Sequence, residues 1–303
     1  MKLDNITKNL LKEIANLHEI PSGAVSFRKN GKSTIKSSKN IKIEKKEDLS
    51  GINVYISSNC KGEACHIPVV VTENFADIVY NDFYIEENAQ VVIVAGCGIH
   101  SNGESSHNGI HTLHVGKGAI VTYVENHLAT GSGLKQELSP VTILKLAEGS
   151  HVIMKTNQLG GVTYSNRKTK AILANNAKLE INEKLLTSKF ELAKTDFSVQ
   201  LKGENSKCEI ISRSVAKDSS EQSFKSDLIG LDKCYGRVEC DAIVLNESIV
   251  SSQPKVTAKH FMAELSHEAT IGKIANDQLV KLMTLGLSEE EATQKIIEGF
   301  LKY

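Results

Sequence analysis

The densest chemistry in this chain lies near its C-terminal end. Val238-Glu239-Cys240-Asp241 sets a thiol between two carboxylates, and Ser266-His267-Glu268-Ala269 sets an imidazole beside a carboxylate. On a strand, period-2 alternation sends Cys240 to one face and Glu239 and Asp241 to the other. A single strand cysteine reads either as a small buried hydrophobe or as a reactive thiol. The His267–Glu268 pair needs solvent, a partner or a metal, and imidazole and carboxylate both suit iron.

A second group lies upstream. Cys60, Cys65 and His66 form a C-x4-C-H, Cys97 and His100 recur about thirty residues later, and His107, His111 and His114 follow. Soft thiolates and imidazoles of this kind suit zinc, iron or a small cluster. The readings left open are a metal site, buried structural thiols, or a metalloenzyme centred on Cys97, His100, His107 and His111. Cys208 and Cys234 have no ligand types nearby and read as core. No G-x-S-x-G, P-loop or dinucleotide fingerprint occurs, so neither nucleophilic hydrolysis nor ATP binding by this chain is expected.

The elements that must position these residues repeat. Glu87-Asn88-Ala89, Lys117-Gly118-Ala119, Glu148-Gly149-Ser150, Asn175-Asn176-Ala177 and Glu204-Asn205-Ser206 each precede a β-rich run, with the small residue at 89, 119, 150, 177 and 206. Turn-then-strand units at a period near thirty are the signature of a β-solenoid, whose stacked coils share one core; a β-sandwich with evenly spaced turns is the alternative. On that period Cys65/His66 and Cys97/His100 are expected side by side on neighbouring coils. Residues 4–17 carry apolar side chains at helical spacing, and 24–57 read as exposed, lysine-bearing strands. After Asn276-Asp277-Gln278, a helix through Leu282 stops at Gly286, and Ser288-Glu289-Glu290-Glu291 is a capping box opening a second helix. The expected divisions are 1–65, a core over 66–275 and a helical segment over 276–303.

Composition excludes several classes. The 303 residues carry 36 basic and 36 acidic side chains and no Trp, which favours neither nucleic acid nor an anionic membrane. No signal peptide or membrane-spanning run is expected, and six cysteines in such a chain read as reduced thiols of a cytoplasmic protein.

The run V-E-C-D, then H-E-A-T-x-x-K-I, D-Q-L and the Gly-Leu-Ser-Glu-Glu-Glu helix start resembles the C-terminal part of the SufB/SufD family, the scaffolds of SUF iron–sulfur cluster assembly. The resemblance is most specific over 236–303 and architectural over 66–235. It implies a right-handed parallel β-helix, a non-catalytic scaffold, and transient iron or an iron–sulfur cluster handled at His267, Glu268 and Cys240. It also implies partners: a SufC-like ABC ATPase docking on the C-terminal helices (Gln278, Leu282, Leu287, Ile297 and Phe300 as contacts), a second scaffold subunit (the same chain or a paralogue), a sulfur donor and apoprotein acceptors. Two departures matter. SufB-type chains carry a cysteine in the loop after V-E-C-D, whereas the matching residues Asn246 to Pro254 hold none, so any thiol ligand must come from Cys240 or the Cys60/Cys65/Cys97 group. SufD-type chains usually read His-Gly where this chain has His267-Glu268. A compact form pairing with itself, or a purely structural SufD-like partner, fits that mixture.

Overall fold

The computed structural model describes residues 3–302. Two ten-stranded sheets face each other across a shared interior. In spatial order the first holds Lys32–Lys36, Ala24–Lys29, Lys61–Val71, Gln90–His100, Ile120–Thr130, His151–Gln158, Lys178–Thr187, Ser206–Ala216, Cys234–Val244 and Ala263–Gly272. The second runs from Ile249–Ala258 through Glu221–Gly230, Leu192–Leu201, Tyr164–Leu173, Lys135–Leu138 with Val141–Leu146, Glu104–Val115, Ala76–Ile85 and Gly51–Ile56 to Ile41–Lys45. Pairing is parallel throughout except in the hairpins Ala24–Lys29/Lys32–Lys36 and Ile41–Lys45/Gly51–Ile56. The chain therefore alternates between sheets and advances one strand per coil. This is a β-solenoid of about eight turns.

Alternation along each strand makes the core. In Ile120–Thr130, the buried positions Val121, Tyr123, Glu125, His127 and Ala129 point inward and the intervening residues outward. Register then stacks like on like. Ile93, Tyr123, Met154, Ile181, Ile210 and Val238 form one inward apolar row over six coils, each such burial stabilising the fold by roughly 1.5–3 kcal/mol.

The repeated turn units are the corners. Ala89, Ala119, Ser150, Ala177 and Ser206 are all fully buried. The residue before each, namely Asn88, Gly118, Gly149, Asn176 and Asn205, has positive φ, which Gly and Asn tolerate best. Backbone bonds such as Asn176 N–H to the Glu204 carbonyl, 2.8 Å, stack the corners.

The two ends of the solenoid differ. Helix α1, Asn5–Ala15, is capped by the Asp4 side chain on the Thr7 amide and packs on the outer surface of the first sheet through Leu10, Leu11 and Ile14. Gly96 and Gly98 make room for it: a Cβ on Gly96 would lie 2.8 Å from the Ile14 carbonyl, and one on Gly98 3.1 Å from Leu10. The adjacent Val25 and Phe27 are thereby buried, although 24–57 was expected to be exposed. The strand Lys61–Val71 runs through the expected 65/66 division, and Gly51–Ile56 already belongs to the second sheet. At the opposite end, Ala263–Gly272 and Ile249–Ala258 are the terminal strands of their sheets, and neither edge is paired within the described residues. α2, Asn276–Met283, and α3, Glu289–Lys302, lie on the outside of the first sheet, with Ile297 packed near Val215 and Ile243, and leave the end of the interior uncovered.

Candidate functional site

The outer end of the solenoid holds the C-terminal motif. His267 stands in register with the inward Val238, and Ala269 with Cys240, so His267 shares the interior row while Glu268 faces outward over Glu239. The expected pair is thus split between the two faces of the strand. Outside, Arg237 Nη2 donates to Glu239 Oε2 at 2.7 Å and lies 3.5 Å from Glu268 Oε2. Inside, the Cys240 thiol is buried at 2% exposure, and burial pushes it up to about 11, partly offset by the neighbouring Ser252 hydroxyl. His267 is exposed because no further coil covers it. Of the stretch expected as a loop, only Asn246 to Ser248 turns; Ile249–Ala258 is the last strand of the second sheet, its Ser252 and Pro254 in register with the buried Phe224 and Ser226.

Upstream, the thiols do not stack as expected. Cys65 pairs with Ile93, whereas Cys97 pairs with Val69 and, on the next coil, with His127. The coil advances 28 residues from Cys65, while Cys97 lies 32 away, so the two are four positions apart along the strand. Cys60 and Cys65 sit in the apolar core; burial raises both thiols, Cys65 to about 12. His66 and His100 take outward positions, the latter with Nδ1 3.0 Å from Thr130 Oγ1.

Cys97, His107 and His111 do come together, with partners that no sequence motif marks. They line an interior cavity of about 20 Å³ with Asn81, Glu125 and His127, room for about one water molecule. Arg28 grips Asp77 through Nε and Nη2, at 2.6 and 2.7 Å, and Asp77 Oδ2 lies 3.2 Å from His107 Nδ1. Arg167 Nη1 donates to Glu125 Oε2 at 2.5 Å, and its Nη2 lies 3.1 Å from His127 Nδ1. Guanidinium can only donate, so His127 Nδ1 accepts and its Nε2–H faces Glu125 Oε1 at 3.4 Å. The Tyr123 hydroxyl, pushed well up by burial, lies 2.8 Å from His111 Nδ1, and burial lowers His111 to about 4. Gly109 is required beneath that ring, since a Cβ there would lie 2.4 Å from His111 Nε2.

Charge in this interior is balanced by protein. Burial alone would raise Asp77 and Glu125, yet Arg28 with His107, and Arg167 with His127, hold both well below the usual carboxylate range. Arg167 Nε also lies 3.9 Å from Glu183 Oε1, which accepts from Thr195 at 2.9 Å, while Glu183 Oε2 accepts from Ser212 at 2.7 Å. Guanidinium groups stand where a cation would be needed, and no three His, Cys, Asp or Glu side chains converge on a metal-sized point among the described residues. The seven residues of the upstream candidate set therefore form no common ligand sphere. Register does extend the polar row: Glu125, Thr156, Glu183, Ser212 and Cys240 stack on successive coils toward the open end.

The helical contacts divide as well. Gln278, Leu282 and Phe300 line a groove of about 640 Å³ with Arg213, Ile243 and Leu285. Ile297 is 2% exposed beneath it and unavailable to a partner, and Leu287 lies outside its lining. The capping box forms as expected, Ser288 N–H to Glu291 Oε2 at 2.8 Å and Glu291 N–H to Ser288 Oγ at 3.2 Å. α2, in contrast, takes Ala275 as its N-cap with no side-chain cap bond.

Residues 71–300 match the family model described as "SUF system FeS cluster assembly, SufBD core domain". The chain belongs to the SufBD family. This SufBD chain is 29% identical over 261 residues to the iron-sulfur cluster assembly SufBD family protein of Archaeoglobus fulgidus, covering 84% of this chain and 70% of that one. It is 29% identical over 238 residues to the namesake from Methanocaldococcus jannaschii, covering 77% and 74%. With the relative from Methanothermobacter thermautotrophicus it shares 28% over 233 residues, covering 76% of this chain and 56% of the relative. Membership supports a role in iron–sulfur cluster assembly. No helix among the described residues is long and apolar enough to cross a membrane.

Proposed function

We propose that this SufBD chain is a non-catalytic scaffold on which iron and sulfide are assembled at the open end of the solenoid. One observation carries the reading: the interior closes with hairpins at one end and stops uncapped at the other, where His267 and the Cys240 thiol share the inward surface. A single subunit supplies too few ligands there. Unpaired strand edges are templates for further pairing, so a second scaffold subunit, the same chain or a paralogue, supplies the rest, and the cluster leaves for an apoprotein as cargo. Glu268, held outward near Arg237, positions that edge and does not share an iron with His267 of its own chain.

The groove formed by α2, α3 and the last coils is the docking site for a SufC-like ABC ATPase, with Gln278, Leu282 and Phe300 in contact and Ile297 as buried support. Titration calorimetry with the purified ATPase tests this: Leu282→Asp/Phe300→Ser abolishes binding while circular dichroism stays native. Unchanged affinity would place the ATPase elsewhere.

A further inference from the structure

Among the described residues the buried carboxylates are Asp77, Glu125, Glu183 and Glu191, and Arg167 is the one buried Lys or Arg. Three of the four acids have a charge or backbone partner of their own. Asp77 takes two bonds from Arg28. Glu191, at a corner, accepts from the Gly161 and Ser188 amides, both at 2.9 Å. Glu125 holds Arg167 Nη1 at 2.5 Å. Glu183 is left with two neutral hydroxyls, Thr195 at 2.9 Å and Ser212 at 2.7 Å, and stands 3.9 Å from Arg167 Nε, beyond hydrogen-bond reach. The strands around it bring no second cation. On its own sheet, His151–Gln158 turns no titratable group inward and Ser206–Ala216 turns in only Cys208. On the facing sheet, Tyr164–Leu173 turns in Arg167 and Leu192–Leu201 none. One strand further on each side stand Tyr123, Glu125 and His127, and Cys234 and Cys240.

One guanidinium does not balance two carboxylates in a desolvated interior, and the acid further from it keeps its proton. Burial raises Glu183, and Arg167 with the two hydroxyls offsets only part of that, whereas Glu125 is held low. Thr156, in register with Glu183 on the preceding strand, has a buried hydroxyl without a partner among the described residues, an acceptor left open for an acid proton. We propose that Glu183 is a neutral carboxylic acid at pH 7 and acts as a pH-sensitive latch. When its proton leaves to solvent, two carboxylates face Arg167 alone, and the coils through Lys178–Thr187 and Ser206–Ala216 loosen. Ser206–Ala216 pairs next with Cys234–Val244, so the loosening reaches the strand that carries Cys240. The latch itself stands whether or not the open end is where a cluster is built. The sign follows from the raised folded value: the unfolded carboxyl ionises near 4.3. Between that pH and the folded value, each pH unit favours unfolding by up to about tenfold.

The test combines infrared spectroscopy and urea unfolding of the full chain, wild type and Glu183→Gln. At pH 7, where exposed carboxylates are ionised, wild type is expected to keep the carbonyl stretch of a neutral carboxylic acid, and Glu183→Gln to lack it. The folding equilibrium constant of the variant relative to wild type should rise by about tenfold or more from pH 4.5 to 7.5, because only wild type retains the ionising group. As pH rises further, amide exchange in Lys178–Thr187 and Ser206–Ala216 should accelerate in wild type more than in the variant. Absence of the neutral-acid band from wild type at pH 7 would overturn the proposal without any variant. A band that survives in Glu183→Gln, or a stability ratio that stays constant or falls over that pH range, would overturn it too.

Discussion

Replacing Arg167 by methionine probes the buried polar row directly. Arg167 is 5% exposed and Glu125 3%, and their contact at 2.5 Å is the main reason the carboxylate stays charged there. Methionine fills much of the volume but leaves Glu125 an uncompensated buried charge. Breaking such a pair from one side costs about 3–5 kcal/mol. Urea unfolding followed by circular dichroism at pH 7.5 should show that loss. The pH dependence carries the sharper sign. In wild type the folded carboxyl of Glu125 is depressed, so its stabilising contribution is present above the unfolded value near 4.3 and is lost as pH falls through the lower folded value. In the variant, burial without Arg167 raises the folded value, so Glu125 destabilises above that value and ceases to do so toward pH 4. The gap between the two proteins therefore narrows on acidification. A loss under about 1 kcal/mol, or a gap constant from pH 8 to 4.5, would refute the argument that Arg167 is the counter-charge.

Three further outcomes follow from packing and caps. Gly96→Val drives a side chain into the Ile14 carbonyl and should destabilise by about 1–3 kcal/mol, with α1 amides exchanging first by hydrogen–deuterium exchange. Ser288→Ala removes the cap of α3 at a cost of about 1 kcal/mol, read as faster exchange confined to its first turn. Iodoacetamide at pH 7.5 should label Cys240, raised to about 11 and one coil from the open end, faster than Cys65, raised to about 12; labelling in the opposite order by mass spectrometry would contradict the burial of Cys65.

Much of the scaffold was legible because corners are chemically demanding. A residue tolerant of positive φ followed by a small, fully buried one is a constraint that survives in sequence, and it placed Ala89, Ala119, Ser150, Ala177 and Ser206 correctly. The site was less so. Cys97, His107 and His111 were found by residue type, but Cys60, Cys65, His66 and His100 were grouped with them on an average period, whereas stacking depends on the local coil length. Asp77, Glu125, His127, Arg167 and Glu183 were missed because carboxylates, imidazoles and guanidinium groups ordinarily mark the solvent face. Their parity was the available signal: Glu125 and His127 share the strand positions of Val121, Tyr123 and Ala129. The same parity separates His267 from Glu268, which adjacency in sequence made look like one site. The strand over 249–258 was hidden by Ser251-Ser252-Gln253-Pro254, and Pro254 is tolerated because it lies on the terminal strand, where an amide can go unpaired.

The most direct test of the open-end assignment is anaerobic reconstitution with iron and sulfide, read by absorbance and by iron and sulfide content, on wild type, Cys240→Ser/His267→Ala, and Cys60→Ser/Cys65→Ser/Cys97→Ser. The account predicts that wild type and the upstream triple variant hold a cluster and the open-end variant does not. A cluster retained by Cys240→Ser/His267→Ala and lost with the upstream cysteines would contradict it.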